Sequence, residues 1–310
     1  MWPAGVGGGV KWVGVSRGEL AGVVAVAALA GWLAACGDDD GGSDGGDGGT
    51  AGADAAAADA GVFDGYPGAG DTGIPAGACA GGLRDATTDD TEPASGTTVE
   101  CVRFTGALPY IRDSISDVTY RYCRFETGEG DSFINLQGGP VIIEDSELAG
   151  SAGTWVRASY EAHGMTLRRN DFSGMANAAE WGVDDVVIED NFVHDFGDVD
   201  QEQHADGFQG GGQNLVLRHN TVLLNAVWGG TGAVMLEGDG LVENNLVAGG
   251  GYTIYVKDDL DVVGNHVSTV FSDTSGEYGP VYPESLGAGG SWENNVWHDG
   301  PNAGQPIEAP

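Results

Sequence analysis

Val186-Val187-Ile188-Glu189-Asp190-Asn191-Phe192-Val193 decides the reading of this chain, because it recurs. Leu215-Val216-Leu217-Arg218-His219-Asn220-Thr221-Val222 follows it, and Met165-Thr166-Leu167-Arg168-Arg169-Asn170-Asp171-Phe172 and Val141-Ile142-Ile143-Glu144-Asp145-Ser146-Glu147-Leu148 precede it. Each copy alternates apolar and polar residues over four or five positions, the pattern of a half-buried strand. β-Branched residues are frequent there and helical periodicity is absent. A small polar residue, most often Asn, follows each strand. Asn tolerates the left-handed backbone region and so suits a sharp bend between two strands. Stacked Asn side chains can also hydrogen-bond from one coil to the next.

Aligned on Cys101, Cys123, Ser146, Asn170, Asn191, Asn220, Asn245, Asn265 and Asn295, the steps are 22, 23, 24, 21, 29, 25, 20 and 30 residues. A repeat of this length marks a solenoid. The Leu-x-x-Leu-x-Leu frame of a leucine-rich repeat and the six-residue sub-period of a left-handed hexapeptide helix are both missing. Over roughly residues 96–300 the pattern resembles the right-handed parallel β-helix, the fold of pectate lyases and many polysaccharide-acting proteins. The resemblance implies an all-β solenoid of about nine coils, a rod of roughly 40 Å at the spacing of neighbouring strands. Its apolar ends need caps. Residues 76–95 are the expected N-terminal cap of a domain spanning 96–310, with Trp292, Trp297 and the tail 301–310 closing the other end.

Outside the repeat, composition sets the address. Lys11 and Arg17 precede an apolar run, Leu20 to Ala35, too short for a membrane span of about twenty residues. A basic start, an apolar stretch and small residues at the end make residues 1–35 a secretory signal peptide. Its Leu33-Ala34-Ala35-Cys36 ending resembles the bacterial lipobox, which implies cleavage before Cys36, lipidation of its sulfur and a membrane-anchored lipoprotein at the bacterial cell surface or outer membrane. Residues 36–75 then read as a flexible tether, since 37–75 carry nine Asp, thirteen Gly and no Lys or Arg. With 12 basic against 47 acidic residues the net charge is -35, which excludes a nucleic-acid partner held by a basic face. A monomer is the expectation.

Cys79, Cys101 and Cys123 are 22 residues apart, so successive coils bring them together, and export permits a bridge. Cys79–Cys101 is the favoured pair because the cap has least packing to hold it.

The chemistry-bearing stretch is His194 to Gln209, in the 29-residue coil. Its His204, Asp206, Gly207 and Gln209 resemble an His-x-Asp-Gly-x-Gln motif of a group of secreted bacterial β-helix proteins, often labelled lyase-like. Tyr66 to Gly77 and Asn294 to Asp299 look like the two ends of that group. An imidazole two residues from a carboxylate can be oriented or made more basic by it, so His204 and Asp206 are the expected acid–base pair. The alternative is that Asp206 caps a turn and His204 stacks on a neighbouring loop.

Matching Asp206-Gly207-Phe208-Gln209 with Gly232 to Met235, Tyr252 to Tyr255 and Thr154 to Arg157 puts Arg157, Gln209, Met235 and Tyr255 on one outer row. Glu237 and Lys257 lie two positions further on the same face. Arg157, Gln209, Glu237, Tyr255 and Lys257 are thus the candidate substrate contacts. Asp195, Asp198, Asp200 and Glu202 would hold a calcium ion, a hard cation that takes carboxylate oxygens, or else stand as solvated carboxylates. A polysaccharide is the expected partner, cleaved by lyase or hydrolase chemistry. For hydrolysis Asp206 would act with Glu237 or Asp184. The competing expectation is a non-catalytic adhesin, glycan-binding or envelope β-helix.

Overall fold

A computed structural model of the chain describes residues 64–127, 133–197, 204–225, 230–284 and 286–310. The expected signal peptide, Cys36 and most of the tether lie outside these residues. The described chain is a parallel β-solenoid with almost no helix. Its strands stack in three ladders, and every named strand pairing is parallel. Ladder A holds the strands before the Asn bend, such as Val141–Glu144, Met165–Arg168 and Val186–Glu189. Ladder B holds those after it, such as Phe192–His194, Thr221–Leu224 and Leu246–Gly249. Ladder C holds Tyr110–Ile111, Ile134–Leu136, residues 154–158, 177–181, 206–212 and 232–238, then Tyr252–Val256 and Gly279–Val281.

The Asn row sits inside the solenoid wall. Asn170, Asn191, Asn220, Asn245, Asn265 and Asn295 are all buried. From Asn191 onward each side-chain carbonyl accepts the backbone N–H and the side-chain amide N–H of the Asn one coil earlier; between Asn220 and Asn245 both bonds are 3.0 Å. Each amide also donates to a strand carbonyl of a preceding coil, as Asn220 does to Ile188 at 2.9 Å. Ser146 and Cys123 extend the row, with Ser146 N–H donating to Asn170 and Cys123 N–H to the Ser146 hydroxyl.

The bend itself differs from the expectation. The left-handed residue is the one before each Asn: Arg169, Asp190, His219, Asn244 and Asn294 have φ between 49° and 57°, and Gly264 takes the place at 65°. The buried Asn is the inner hydrogen-bonding member, and its half-buried or exposed predecessor bears the backbone strain. This places Cys101, at φ 54°, opposite Tyr122 and shifts the expected alignment there by one residue. Cys101 is bonded to Cys79, with Cα atoms 5.6 Å apart, and Cys123 is a free thiol in the core whose pKa burial pushes up to about 12.

Inside, one side chain per coil stacks into an apolar column running through Phe104, Phe125, Leu148, Phe172, Val193, Val222, Val247 and Val267. Outside, ladder A carries an alternating column: Glu100, Arg121, Glu144, Arg168, Glu189, Arg218 and Glu243. Arg121 pairs with Glu100, Arg168 with Glu144 at 2.6 Å and Arg218 with Glu189 at 2.5 Å. Like charges would repel at strand spacing, so alternation favours this register.

Both ends are covered. The Thr88–Thr91 turn is capped by Thr87 and Asp90; the Arg84 guanidinium, 2.6 Å from Asp90, holds that carboxyl far below its usual range. At the far end the Trp292 indole N–H donates to the Ile307 carbonyl. Residues 64–73, read from composition as tether, instead lie along the bend row. Gly73 N–H donates to the Arg169 carbonyl, His219 to the Gly65 carbonyl, and the Tyr66 ring packs among His219, His266 and His298.

Replacing Asn220 by Ala orphans the buried Asn191 backbone N–H, at a cost of about 1–3 kcal/mol, and also removes the bonds that the Asn220 amide donates to Ile188 and Asn245. Ser146→Ala orphans only the Cys123 N–H. Denaturant melts should therefore show Asn220→Ala losing roughly twice as much stability as Ser146→Ala. Equal losses would mean that the Asn contacts are not what holds the coils.

Candidate functional site

Ladder C presents two parallel rows on its outer side. One contains Thr154, Asn177, Asp206, Gly232 and Tyr252. The other, three residues further along each strand, contains Arg157, Glu180, Gln209, Met235 and Tyr255. The two residues between the rows, such as Trp155 and Val156 or Ala178 and Ala179, are both buried, so the strand bends there. The rows touch across the bend: Asn177 donates to Glu180 at 2.7 Å and Tyr252 meets Tyr255 edge-on at 5.7 Å between centroids. The result is a polar-to-aromatic trough running along the stack.

Asp206 lies in this trough with 1% exposure. Its backbone N–H donates to the Asn177 side-chain carbonyl at 2.7 Å, and its Oδ1 accepts the Gly232 N–H at 3.1 Å. Its Oδ2 is buried with no hydrogen-bond partner. Burial, with a smaller contribution from the neighbouring Glu180 charge, raises its pKa to about 7. The carboxyl is therefore protonated over much of the range in which an ordinary aspartate is ionised.

Glu180 is the complementary group. Its Oε1 accepts from the Thr154 hydroxyl at 3.1 Å and from Asn177 at 2.7 Å; its Oε2 accepts from Arg157 Nε at 2.9 Å and is ion-paired to the same guanidinium at 2.8 Å. Asn177 thus holds Asp206 through its carbonyl and Glu180 through its amide. Glu180 stands between Arg157 and Gln209 in the row, on a coil that the sequence-based row does not include. The missed signal is the 23-residue step from Arg157, which lands on Glu180.

The register expected for Arg157, Gln209, Met235 and Tyr255 is the observed one. Arg157 is held by Glu180 and lies over the Phe133 ring, 4.6 Å from its centre. Glu237 and Lys257 pair with each other at 3.2 Å, and Asp184 accepts the Gln213 N–H. The carboxylate set against Asp206 is consequently Glu180, rather than Glu237 or Asp184. His204 and Asp206 are not hydrogen-bonded to each other: the exposed imidazole contacts the Thr231 hydroxyl through Nδ1 at 2.8 Å. Gly232 N–H, invisible in sequence, takes the acceptor that the motif offered to His204.

Asp198, Asp200 and Glu202 lie outside the described residues. Asp195 meets His194 Nδ1 at 2.8 Å, and Asp171 meets the Nε2 of the same ring. Among the described residues no group of three or more His, Cys, Asp or Glu is arranged to hold a metal ion. Comparison of the chain with family models, curated proteins and solved structures gives no match.

The buried acid has a measurable signature. In the unfolded chain Asp206 titrates near 3.8, in the fold near 7. Its raised pKa means that the fold favours the protonated form fully below 3.8, and that this advantage is lost as pH rises through 7. Asp206→Asn, which keeps the acceptor for Gly232, should gain stability relative to the native chain above pH 7 and lose that gain toward pH 4. A pH-independent difference in melting temperature would contradict the burial argument.

Proposed function

We propose that the protein cleaves a polysaccharide laid along the ladder C trough, with Asp206 as the proton donor. The observation that carries this reading is the pairing of two carboxyl groups in opposed environments, one buried and protonated, the other saturated with donors. In this reading Asp206 gives its proton to the glycosidic oxygen as the bond to the anomeric carbon breaks. Glu180 opposes the positive charge that develops on the sugar ring. A carboxylate that already accepts three hydrogen bonds and is paired with a guanidinium suits that electrostatic role better than proton exchange. Water adds to the anomeric carbon and releases its proton, for which exposed His204 at the trough edge is the acceptor. Gln209 and Tyr255 supply a polar and an aromatic contact for the sugar.

Hydrolysis is favoured over β-elimination by the state of the cations. Each of the ten Lys and Arg residues in the described part of the chain is in an ion pair, Arg157 and Lys257 included. A lyase acting on uronates needs a positive group facing the substrate carboxylate.

Screening soluble glycans for new reducing ends should reveal the activity. Asp206→Asn should lower turnover about 100- to 10,000-fold, and native activity should fall as pH rises through about 7, where the donor ionises. Turnover in Asp206→Asn at the native rate, or unsaturated products absorbing in the ultraviolet, would reject the mechanism.

Export and lipidation at Cys36 complete the proposal, since a surface anchor places the trough where polysaccharide is met. Detergent phase partition tests it: native protein should enter the detergent phase, and Cys36→Ser should stay aqueous or unprocessed. A native chain from its own host that stays in the aqueous phase would remove the anchor.

A further inference from the structure

The trough is not uniform along its length. Up to Gln209 its two rows are polar; beyond it they carry Met235, then Tyr252 and Tyr255, then Tyr282. Tyr255 and Tyr282 stack at 4.8 Å between centroids, inclined by 21°. Tyr252 stands edge-on to both, at 5.7 and 5.4 Å. Tyr278 extends the group at 5.7 Å from Tyr252 and is 66% exposed, the most exposed large hydrophobic side chain described. Four of the nine tyrosines of the chain therefore gather on two successive coils, directly downstream of Asp206 in its own trough. Gly232 separates them from Asp206, and a side chain there would strike the Tyr255 ring.

We infer that this aromatic end is a binding subsite for an uncharged glycan, seating the part of the chain on one side of the bond that Asp206 addresses. Pyranose rings present flat C–H faces that lie against aromatic rings, and Tyr adds a hydroxyl for the sugar's own hydroxyls. The rings recur at coil spacing, close to the length of one sugar unit in an extended chain. The charge pattern selects the class. The chain's net charge is -35, each described cation is paired, and Glu277 and Glu284 flank Tyr278 and Tyr282. A polyuronate would meet only repulsion here. The inference rests on the polysaccharide reading above, and binding and cleavage fail separately.

Affinity electrophoresis through gels containing β-glucan, mannan or xylan, with polygalacturonate for comparison, tests it. The native protein should be retarded by at least one neutral glycan and not by polygalacturonate. Tyr278→Ala, at an exposed position where folding is unaffected, should weaken that retardation about five- to tenfold, as should Tyr282→Phe to a lesser degree. Tyr160→Ala, an exposed tyrosine outside the trough, should leave it unchanged. Retardation by no neutral glycan, equal retardation by polygalacturonate, or native affinity in Tyr278→Ala would each overturn the inference. Binding that follows this pattern without any turnover would preserve the subsite and reject the cleavage mechanism alone.

Discussion

The buried asparagine row is the constraint from which the rest of the molecule follows. A solenoid coil has no hairpin to fix its register, so something must stop neighbouring coils from sliding. An amide that accepts two bonds from the coil before it and donates to a strand carbonyl does this at one point in every turn. Moving one coil by a residue would leave several buried polar groups unpaired at once, and such groups are costly. Ladder C depends on that register. Only when coils are locked do Asn177, Asp206 and Glu180, taken from two coils, converge on one another.

Locking the coils also permits ladder C to tolerate an unfavourable group. A buried carboxyl with an unpartnered oxygen costs stability unless it keeps its proton. Asp206 sits between coils joined by the Asn row, by the apolar column and by the alternating charges of ladder A. Those contacts lie on other faces, so the acid is held without being satisfied. This separation of a stable scaffold from a strained trough is the arrangement expected where a protein uses a group rather than merely packs it.

The sequence made the scaffold legible because its physics is local. Strand alternation and a polar residue at the bend can be read within eight residues, and the alignment of Arg157, Gln209 and Tyr255 followed by counting coils. What counting could not supply was the bond pattern across coils. Cys101 slipped by one place because the first coil has neither Asn nor Ser to anchor it. Glu180 was overlooked because Asn177-Ala178-Ala179-Glu180 lacks the β-branched residues of other strands. Proximity in sequence ties His204 to Asp206, whereas in the fold a backbone N–H from the next coil takes the carboxylate oxygen. Tyr66 belongs to an end piece that the resemblance marks, but its packing is invisible in a stretch whose Gly and Asp content reads as tether, because its partners lie more than 150 residues away.

Charge links these scales. A chain this acidic could be expected to hold its few cations ready for an anionic ligand, yet the described ones are all tied to carboxylates within the fold. Three of them alternate with glutamates on ladder A, where they reinforce register. Arg157 makes the same kind of pair on ladder C, but there its partner Glu180 faces the trough. Neutralising Glu180 in this way reduces its repulsion of Asp206 and keeps it in place. A freely solvated glutamate at that position would push the Asp206 pKa further upward and would not be held beside it. One residue type thus serves both the register of ladder A and the placing of Glu180 on ladder C, and the difference lies only in what stands beside its partner.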